Sequence, residues 1–206
     1  MQSETIKMTD QRGKIHPHKF ALWVAMGSIV MMFAGLTSAY LVRKAQGNWR
    51  IYDIPTVMWV STAVILLSSL TIFLAGKAYK NRQIPKYRNL LWATLILGTA
   101  FCGLQIFGFY ELYQTPQMIN ISGEISNEMS AIKVAGNPSE SFLFIIAGLH
   151  ILHIVGGLVA LLINIFKSYR RSKKVYTSTP VDVVATYWHF VDVLWLYLFI
   201  FFLVNH

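Results

Sequence analysis

The sequence predicts an all-α membrane protein, a bundle of five transmembrane helices, and three observations support this fold class. Only 13% of the 206 residues are charged and 55% are hydrophobic, whereas soluble domains carry about 25% charged residues. The mean hydropathy is positive, at +0.48. The apolar residues are concentrated in five stretches, each near or above the ~20 residues that a helix needs to cross the hydrocarbon. A helix also satisfies its own backbone hydrogen bonds, as lipid demands.

The five stretches define the predicted domain organisation. They lie at about residues 20–42, 54–76, 89–111, 141–166 and 183–205, so residues 20–206 form one transmembrane domain. Residues 1–19 form a polar N-terminal segment. The first stretch is too long for the apolar region of a secretory signal peptide, which argues against cleavage there.

The lysines and arginines predict the orientation. Of the 18, fourteen lie before the first stretch, between the second and third, and between the fourth and fifth, and four lie on the opposite side. Cytoplasmic loops are enriched in these residues, so we expect the N-terminus in the cytoplasm and the C-terminus outside. The longest loop, Leu112 to Glu140, is then a polar external excursion with room for a short helix.

This orientation is testable with one cysteine on each side. We expect a cysteine at Ser126 to react with a membrane-impermeant thiol reagent in intact spheroplasts, because the positive-inside rule places that loop outside. A cysteine at Ser172 should stay unlabelled until the membrane is opened. Labelling at Ser172 with none at Ser126 would reverse the orientation.

Polar residues at membrane depth are the candidate functional residues, because they are costly there and are usually paired. His150 and His153 lie three residues apart in the fourth stretch, as do His189 and Asp192 in the fifth, so each pair shares one helix face. His153 and Asp192 lie 12 and 13 residues from the predicted outer helix ends, which places them at similar depth. We therefore predict a hydrogen bond between them, with His150 and His189 nearby or bonded to backbone carbonyls.

Two other polar residues complete the predicted buried structural cluster. Gln105 of the third stretch is expected to make a hydrogen bond between helices, and Glu111 lies near the outer interface. A metal or haem site at His150 and His153 is an alternative, but a closed metal site takes three or four ligands and no carboxylate or cysteine on that helix completes one. We favour a structural role for the cluster over direct proton conduction. Cys102 is expected to be a small core residue.

No catalytic motif appears in the chain. The phosphate-binding loop, the serine nucleophile elbow and the zinc-binding HExxH pattern are all missing, so the chain alone does not resemble an enzyme. The aromatic residues near the segment ends are typical of the interfacial belt. Among the interfacial residues, Arg43, Trp49, Arg88 and Trp92 are candidates for holding phospholipid headgroups.

Three blocks of sequence resemble subunit III of the haem–copper terminal oxidases. The first is Leu104-Gln105 followed by Phe109-Tyr110-Glu111. The second begins at Phe142 and includes the run from Gly148 to Gly157 with both histidines. The third, Tyr187-Trp188-His189-Phe190-Val191-Asp192-Val193-Leu194-Trp195, is the most specific. The first two helices match only in hydrophobicity and in scattered small residues, and the glutamate of the family's first helix is missing, where Met26 to Val30 stand.

The resemblance implies a non-catalytic subunit III of a bacterial respiratory cytochrome c oxidase, in the five-helix form, in the inner membrane with a periplasmic C-terminus. Haem and copper are expected in partner subunits and none in this chain. The expected partners are oxidase subunit I, principally, then subunit II and small subunits, with bound phospholipids and membership of a respiratory supercomplex also open.

Three alternatives stay open. A quinol oxidase subunit III and the related accessory protein of nitric oxide reductase belong to the same family, because the electron donor is recognised by other subunits. A small proton-coupled transporter using His153 and Asp192 belongs to another class. Transporters often show inverted repeats and interrupted helices, and the sequence has neither.

Overall fold

A computed structural model describes residues 17–46, 50–51, 55–114, 117–121, 124–130, 138–170 and 179–205. Within them lie five long helices: α1 (Pro17–Ala45), α2 (Thr56–Lys80), α3 (Ile84–Gln114), α4 (Pro138–Arg170) and α5 (Thr179–Asn205). All five are long and apolar enough to cross a membrane. The predicted all-α membrane architecture of five spanning helices is therefore confirmed.

The helices extend past most of the predicted apolar stretches. The largest difference is at α3, which begins at Ile84, five residues before the predicted start. The added turns carry Lys86 and Arg88, because a helix continues through the headgroup region where charged side chains are solvated. At α2 the helix instead begins after Pro55, whose fixed φ suits the residue just before a helix.

The turn between α2 and α3 is a Schellman motif. The Gln83 amide donates to the Ala78 carbonyl, and the Arg82 amide donates to the Tyr79 carbonyl, both at 3.0 Å. Arg82 takes a left-handed backbone conformation, with φ of 58°, where glycine is the usual residue. This tight connection makes α2 and α3 an antiparallel hairpin.

A small sheet joins two connections at the other end of the bundle. Strand β1 (Arg50–Ile51) lies between α1 and α2, and β2 (Gln117–Ile121) and β3 (Glu124–Ser130) lie between α3 and α4. The order is β1-β2-β3, and both pairings are antiparallel. The loop of residues 112–140 has room for a short helix, but residues 117–121 and 124–130 are strands. Two stretches of isoleucine and methionine flank Ser122-Gly123 there, which is a hairpin pattern.

Four helices, α2 to α5, form a ring, and α1 lies outside it. Each of α2, α3, α4 and α5 contacts the next, and α5 closes the ring on α2. The ring encloses one apolar cluster, which includes Ile65, Phe101 and Leu161. The first helix, α1, packs against α4 and α5 only weakly by comparison, over a second cluster that contains Phe33 and Leu198.

Hydrogen bonds fasten α1 to α5. The hydroxyls of Thr37 and Tyr197 lie 3.0 Å apart. At the helix ends, the carbonyl oxygen of Asn205 accepts from the Tyr40 hydroxyl at 3.1 Å and from the Lys44 ammonium at 2.8 Å. The weakly packed helix is therefore held along its C-terminal half by polar contacts.

Candidate functional site

Trp188 of α5 joins three other helices. Its indole lies between α3 and α4, where both neighbours are glycines: a Cβ at Gly98 would lie 2.7 Å from the ring, and one at Gly157 would lie 3.1 Å from it. Its indole N–H donates to the Ser68 hydroxyl of α2 at 3.0 Å. Neither glycine can be replaced without moving the ring, so this junction sets the spacing of the helices.

Trp195, one heptad later, repeats the arrangement. Its N–H donates to the Thr62 hydroxyl of α2 at 3.1 Å. Its ring stacks on His150 of α4, with centroids 5.3 Å apart, and meets Phe101 of α3 edge-on at 5.2 Å. Both tryptophans therefore bind a hydroxyl on one helix and pack their rings against the two others.

Hydroxyl groups on α2 accept or share most of these interhelical bonds. Ser61 accepts from the Gln105 amide of α3 at 2.8 Å, and Thr71 shares a bond of the same length with Thr94. Ser69 lies 2.6 Å from Nδ1 of His189. Sequence reasoning missed this polar seam, although its signal is present: the pairs Ser61-Thr62 and Ser68-Ser69 are seven residues apart, as are Trp188 and Trp195.

The predicted bond between His153 and Asp192 is wrong. His153 Nδ1 lies 2.7 Å from the carbonyl oxygen of Leu149 in its own helix. Asp192 is 3% exposed, and neither carboxylate oxygen has a hydrogen-bond partner in the described part of the chain. The prediction matched His153 and Asp192 by their depth along the two helices. Hydrogen bonding also depends on how each helix is rotated about its axis, and the Asp192 carboxyl group interacts with Ser69 on α2.

His150 is buried and also unpaired. Neither ring nitrogen has a partner among the residues that the structure describes. The ring is held by its Trp195 stack and by the edges of Phe33 and Phe101, each with its centroid 6.3 Å away. Phe33 also meets the His153 ring, at 5.8 Å. Of the two expectations for His150, a place near the His153–Asp192 pair or a bond to a backbone carbonyl, the carbonyl bond is not formed, and the ring is instead packed among aromatic side chains.

The six residues of the predicted cluster thus fall into two pairs, with Gln105 and Glu111 separate from both. His189 and Asp192 lie at the contact with α2, and His150 and His153 lie against Phe33 of α1. The interhelical hydrogen bond expected of Gln105 is confirmed by its bond to Ser61. Glu111 is exposed and is not a buried member, because it lies three residues before the end of α3, where the helix leaves the apolar layer.

Metal-ligating residues do not converge within the described ranges, where no three histidine, cysteine or acidic side chains lie close enough to share an ion. His150 and His153 have no third ligand type beside them there. The contacts found for both rings are instead with aromatic side chains and, for His153, a backbone carbonyl. These contacts favour the structural interpretation of the pair.

The lipid-binding candidates lie at both ends of the bundle. Arg88 is half-buried and joins α3 to α4: it donates to the Ser168 hydroxyl at 3.1 Å and to the Ser168 carbonyl at 2.5 Å, and lies 4.4 Å over the Tyr169 ring. Trp92, one turn further along α3, is exposed. Arg43 is exposed and bonds Gln46. Trp49 lies outside the described residues.

The fold and this core define a class: a multi-pass membrane protein of five helices, whose buried polar side chains mostly bond one helix to another. The chain belongs to the cytochrome c oxidase subunit III family, whose model matches residues 19–205. The predicted resemblance is confirmed.

Related proteins are named as subunit 3 of either a cytochrome c oxidase or a quinol oxidase. The chain is 27% identical over 182 residues to cytochrome c oxidase subunit 3 of Bacillus sp. (strain PS3), covering 86% of this chain and 80% of the relative. It is 27% identical over 197 residues to a "Probable cytochrome c oxidase subunit 3" of Nocardia farcinica, covering 90% of each. It is 25% identical over 205 residues to a "Probable quinol oxidase subunit 3" of Staphylococcus aureus (strain USA300), covering 96% and 92%.

Proposed function

We propose that the chain is the non-catalytic subunit III of a bacterial respiratory cytochrome c oxidase, in the inner membrane. In this role it stabilises the catalytic subunit of a complex that reduces oxygen and pumps protons. The observation that carries the proposal is the family match over residues 19–205, which spans all five helices.

The core supports a stabilising role. The bonds of Gln105, Trp188 and Trp195 each join two helices, and such interhelical bonds are the main polar means of holding a bundle together in lipid. The transporter alternative assigned ion coupling to a bonded pair of His153 and Asp192. That pair is not formed, which argues against the transporter.

Partners and ligands follow from the proposed role. Haem and copper are assigned to partner subunits, with subunit I as the principal partner. Phospholipids are the proposed ligands of this chain, and Arg88 with Trp92 is the best-placed candidate pair. Arg88 is fixed by Ser168 and Tyr169 at the helix ends where lysines and arginines gather, which suits an anionic headgroup.

The quinol oxidase is a second candidate, because relatives named quinol oxidase subunit 3 match almost the whole chain. The electron donor is bound by other subunits in either case. The proposed role of this chain in supporting the catalytic subunit is the same for both.

Copurification tests the proposal. An affinity tag on this chain should retrieve, in mild detergent, a complex with haem absorbance that consumes oxygen, because the chain is held by subunits that carry the redox groups. Supplying reduced cytochrome c and then a quinol distinguishes the two donors. The isolated chain, dissociated by harsher detergent, is the control and should show neither haem absorbance nor oxygen consumption.

Two results would contradict the proposal. One is a tagged chain that is stable and abundant in the membrane but retrieves no haem protein. The other is solute uptake by vesicles that contain the isolated chain, which would favour the transporter.

A further inference from the structure

His189 brings a polar atom to the membrane-facing surface of α5. It lies eight residues from Val181, the start of the span, which is ~12 Å along the helix. Its Nδ1 lies 2.6 Å from the Ser69 hydroxyl. Its other ring nitrogen, Nε2, has no partner within the described part of the chain and is not among the buried polar atoms. Lipid tails offer such an atom no hydrogen bond.

His189 is the end nearest the bundle surface in a row of three polar groups. Asp192 is buried, and Ser69 of α2 interacts with its carboxyl group without a hydrogen bond of normal geometry to either oxygen. Ser69 in turn bonds His189, whose ring is only half-buried. The row therefore runs from the interior of the bundle to the surface and ends at a nitrogen that still lacks a partner.

An exposed apolar stripe continues from His189 along α5. Its members are separated by four, three and four residues, which is helical periodicity. They are Val193, Tyr197, Ile200 and Val204. Tyr197 bonds Thr37 of α1, and His189 bonds Ser69 of α2, so α1 and α2 flank the stripe. We call this surface the α5 face.

We infer that a membrane-spanning helix of a partner oxidase subunit docks on the α5 face and presents a hydrogen-bonding side chain to His189 Nε2. This inference rests on the proposed function. A phospholipid satisfies the site poorly, because its polar headgroup lies at the interface and its tails carry no donor or acceptor. A protein helix supplies both the apolar surface for the stripe and the missing hydrogen bond.

The exposed side of α4 lacks this combination. Within the apolar part of the helix its large exposed residues are Ile145, Leu152, Val155, Val159, Ile163 and Phe166, all without polar atoms on the side chain. The histidine beside them, His153, already bonds a carbonyl of its own helix and packs against Phe33. Tyr169 is also exposed, but it lies at the helix end, where Arg88 packs over its ring. We therefore assign the exposed side of α4 to lipid.

Photocrosslinking in the assembled complex tests the assignment. The photoreactive residue p-benzoyl-phenylalanine replaces Val193 on the α5 face or, as the control, Leu152 on α4. The two positions are matched, because each is 63% exposed and they lie 12 and 11 residues from the outer ends of their spans, Asn205 and Ser141. Membranes are illuminated, the complex is purified, and the adducts are identified by mass spectrometry.

Position 193 should yield an adduct with another oxidase subunit, and position 152 adducts with lipid. Protein adducts from position 152 with lipid adducts from position 193 would overturn the inference, as would lipid adducts from both positions. These outcomes leave the proposed function standing, because the complex still forms. A chain that retrieves no haem protein would instead contradict the proposed function itself, and this inference with it.

Two variants test His189 directly. His189→Leu should lower the amount of this chain retained on a tagged catalytic subunit during a detergent wash by ~threefold, the average effect of one hydrogen bond between membrane helices. Ser69→Ala removes the internal bond but leaves Nε2 in place, so it should lower retention less. Equal losses from the two variants would show that His189 acts only inside this chain and would overturn the inference.

Discussion

Replacing Trp188 with alanine should lower the free energy of unfolding of the isolated chain by ~3–5 kcal/mol, the range for removing a buried tryptophan. The loss is large because the indole fills the space between Gly98 and Gly157 and donates to Ser68. Unfolding of the detergent-solubilised chain with rising sodium dodecyl sulfate, followed by near-ultraviolet circular dichroism, measures the change.

Trp92→Ala is the matched control, because Trp92 is 40% exposed and its side chain faces away from the core. It should change the free energy of unfolding by less than about 1 kcal/mol, as surface substitutions usually do. A second variant tests the fit of the ring: Gly98→Ala places a methyl group 2.7 Å from Trp188 and should cost about 1–3 kcal/mol. A tolerated Gly98→Ala would show that the junction is not tightly packed.

Asp192→Leu should make the isolated chain more stable, by at least ~1 kcal/mol. The carboxyl group is buried, and Ser69 of α2, which interacts with it, makes no hydrogen bond of normal geometry to either oxygen. The group therefore bears much of the desolvation cost of ~1–3 kcal/mol for an unsatisfied polar group, and more if ionised. The same unfolding measurement reads the change. Asp192→Asn keeps a polar group of the same size and is the control, with little change expected.

The outcome separates two roles for this residue. A destabilised Asp192→Leu chain would mean that the carboxyl group makes a bond that holds α5 to its neighbours. In the assembled complex we expect both variants to keep oxygen consumption, since the proposed catalytic groups lie in another subunit. An Asp192→Asn complex that assembles normally but consumes no oxygen would instead assign the carboxyl group to proton transfer.

Hydropathy predicted the five helices because the bilayer imposes one length and one composition on every span. It placed the helix ends poorly, because hydropathy falls at the first charged residues, whereas helix α3 continues through Lys86 and Arg88. It also missed the sheet in the connections that follow α1 and α3, where the strands are short and the pairing of Arg50 with Ile121 joins residues far apart in the chain.

The polar core shows a second limit of prediction from the sequence. The rise per residue predicts a similar depth for His153 and Asp192, and this suggested a pair. A hydrogen bond depends in addition on the direction in which each side chain points from its helix. The rotation of α5 against α3 and α4 is constrained by the fit of Trp188 against Gly98 and Gly157, which sequence alone did not reveal. A search for the shared seven-residue spacing of tryptophans on α5 and hydroxyls on α2 would have found the contact.

The bonds between α1 and α5 affect the order in which the chain can be assembled. A ribosome makes Thr37, Tyr40 and Lys44 long before Tyr197 and Asn205, the residues that they bond. During synthesis α1 therefore enters the bilayer without these bonds and gains them only when α5 follows. A nascent chain halted before α5 lacks every one of these partners, so among the described residues its α1 is held only by the packing against α4.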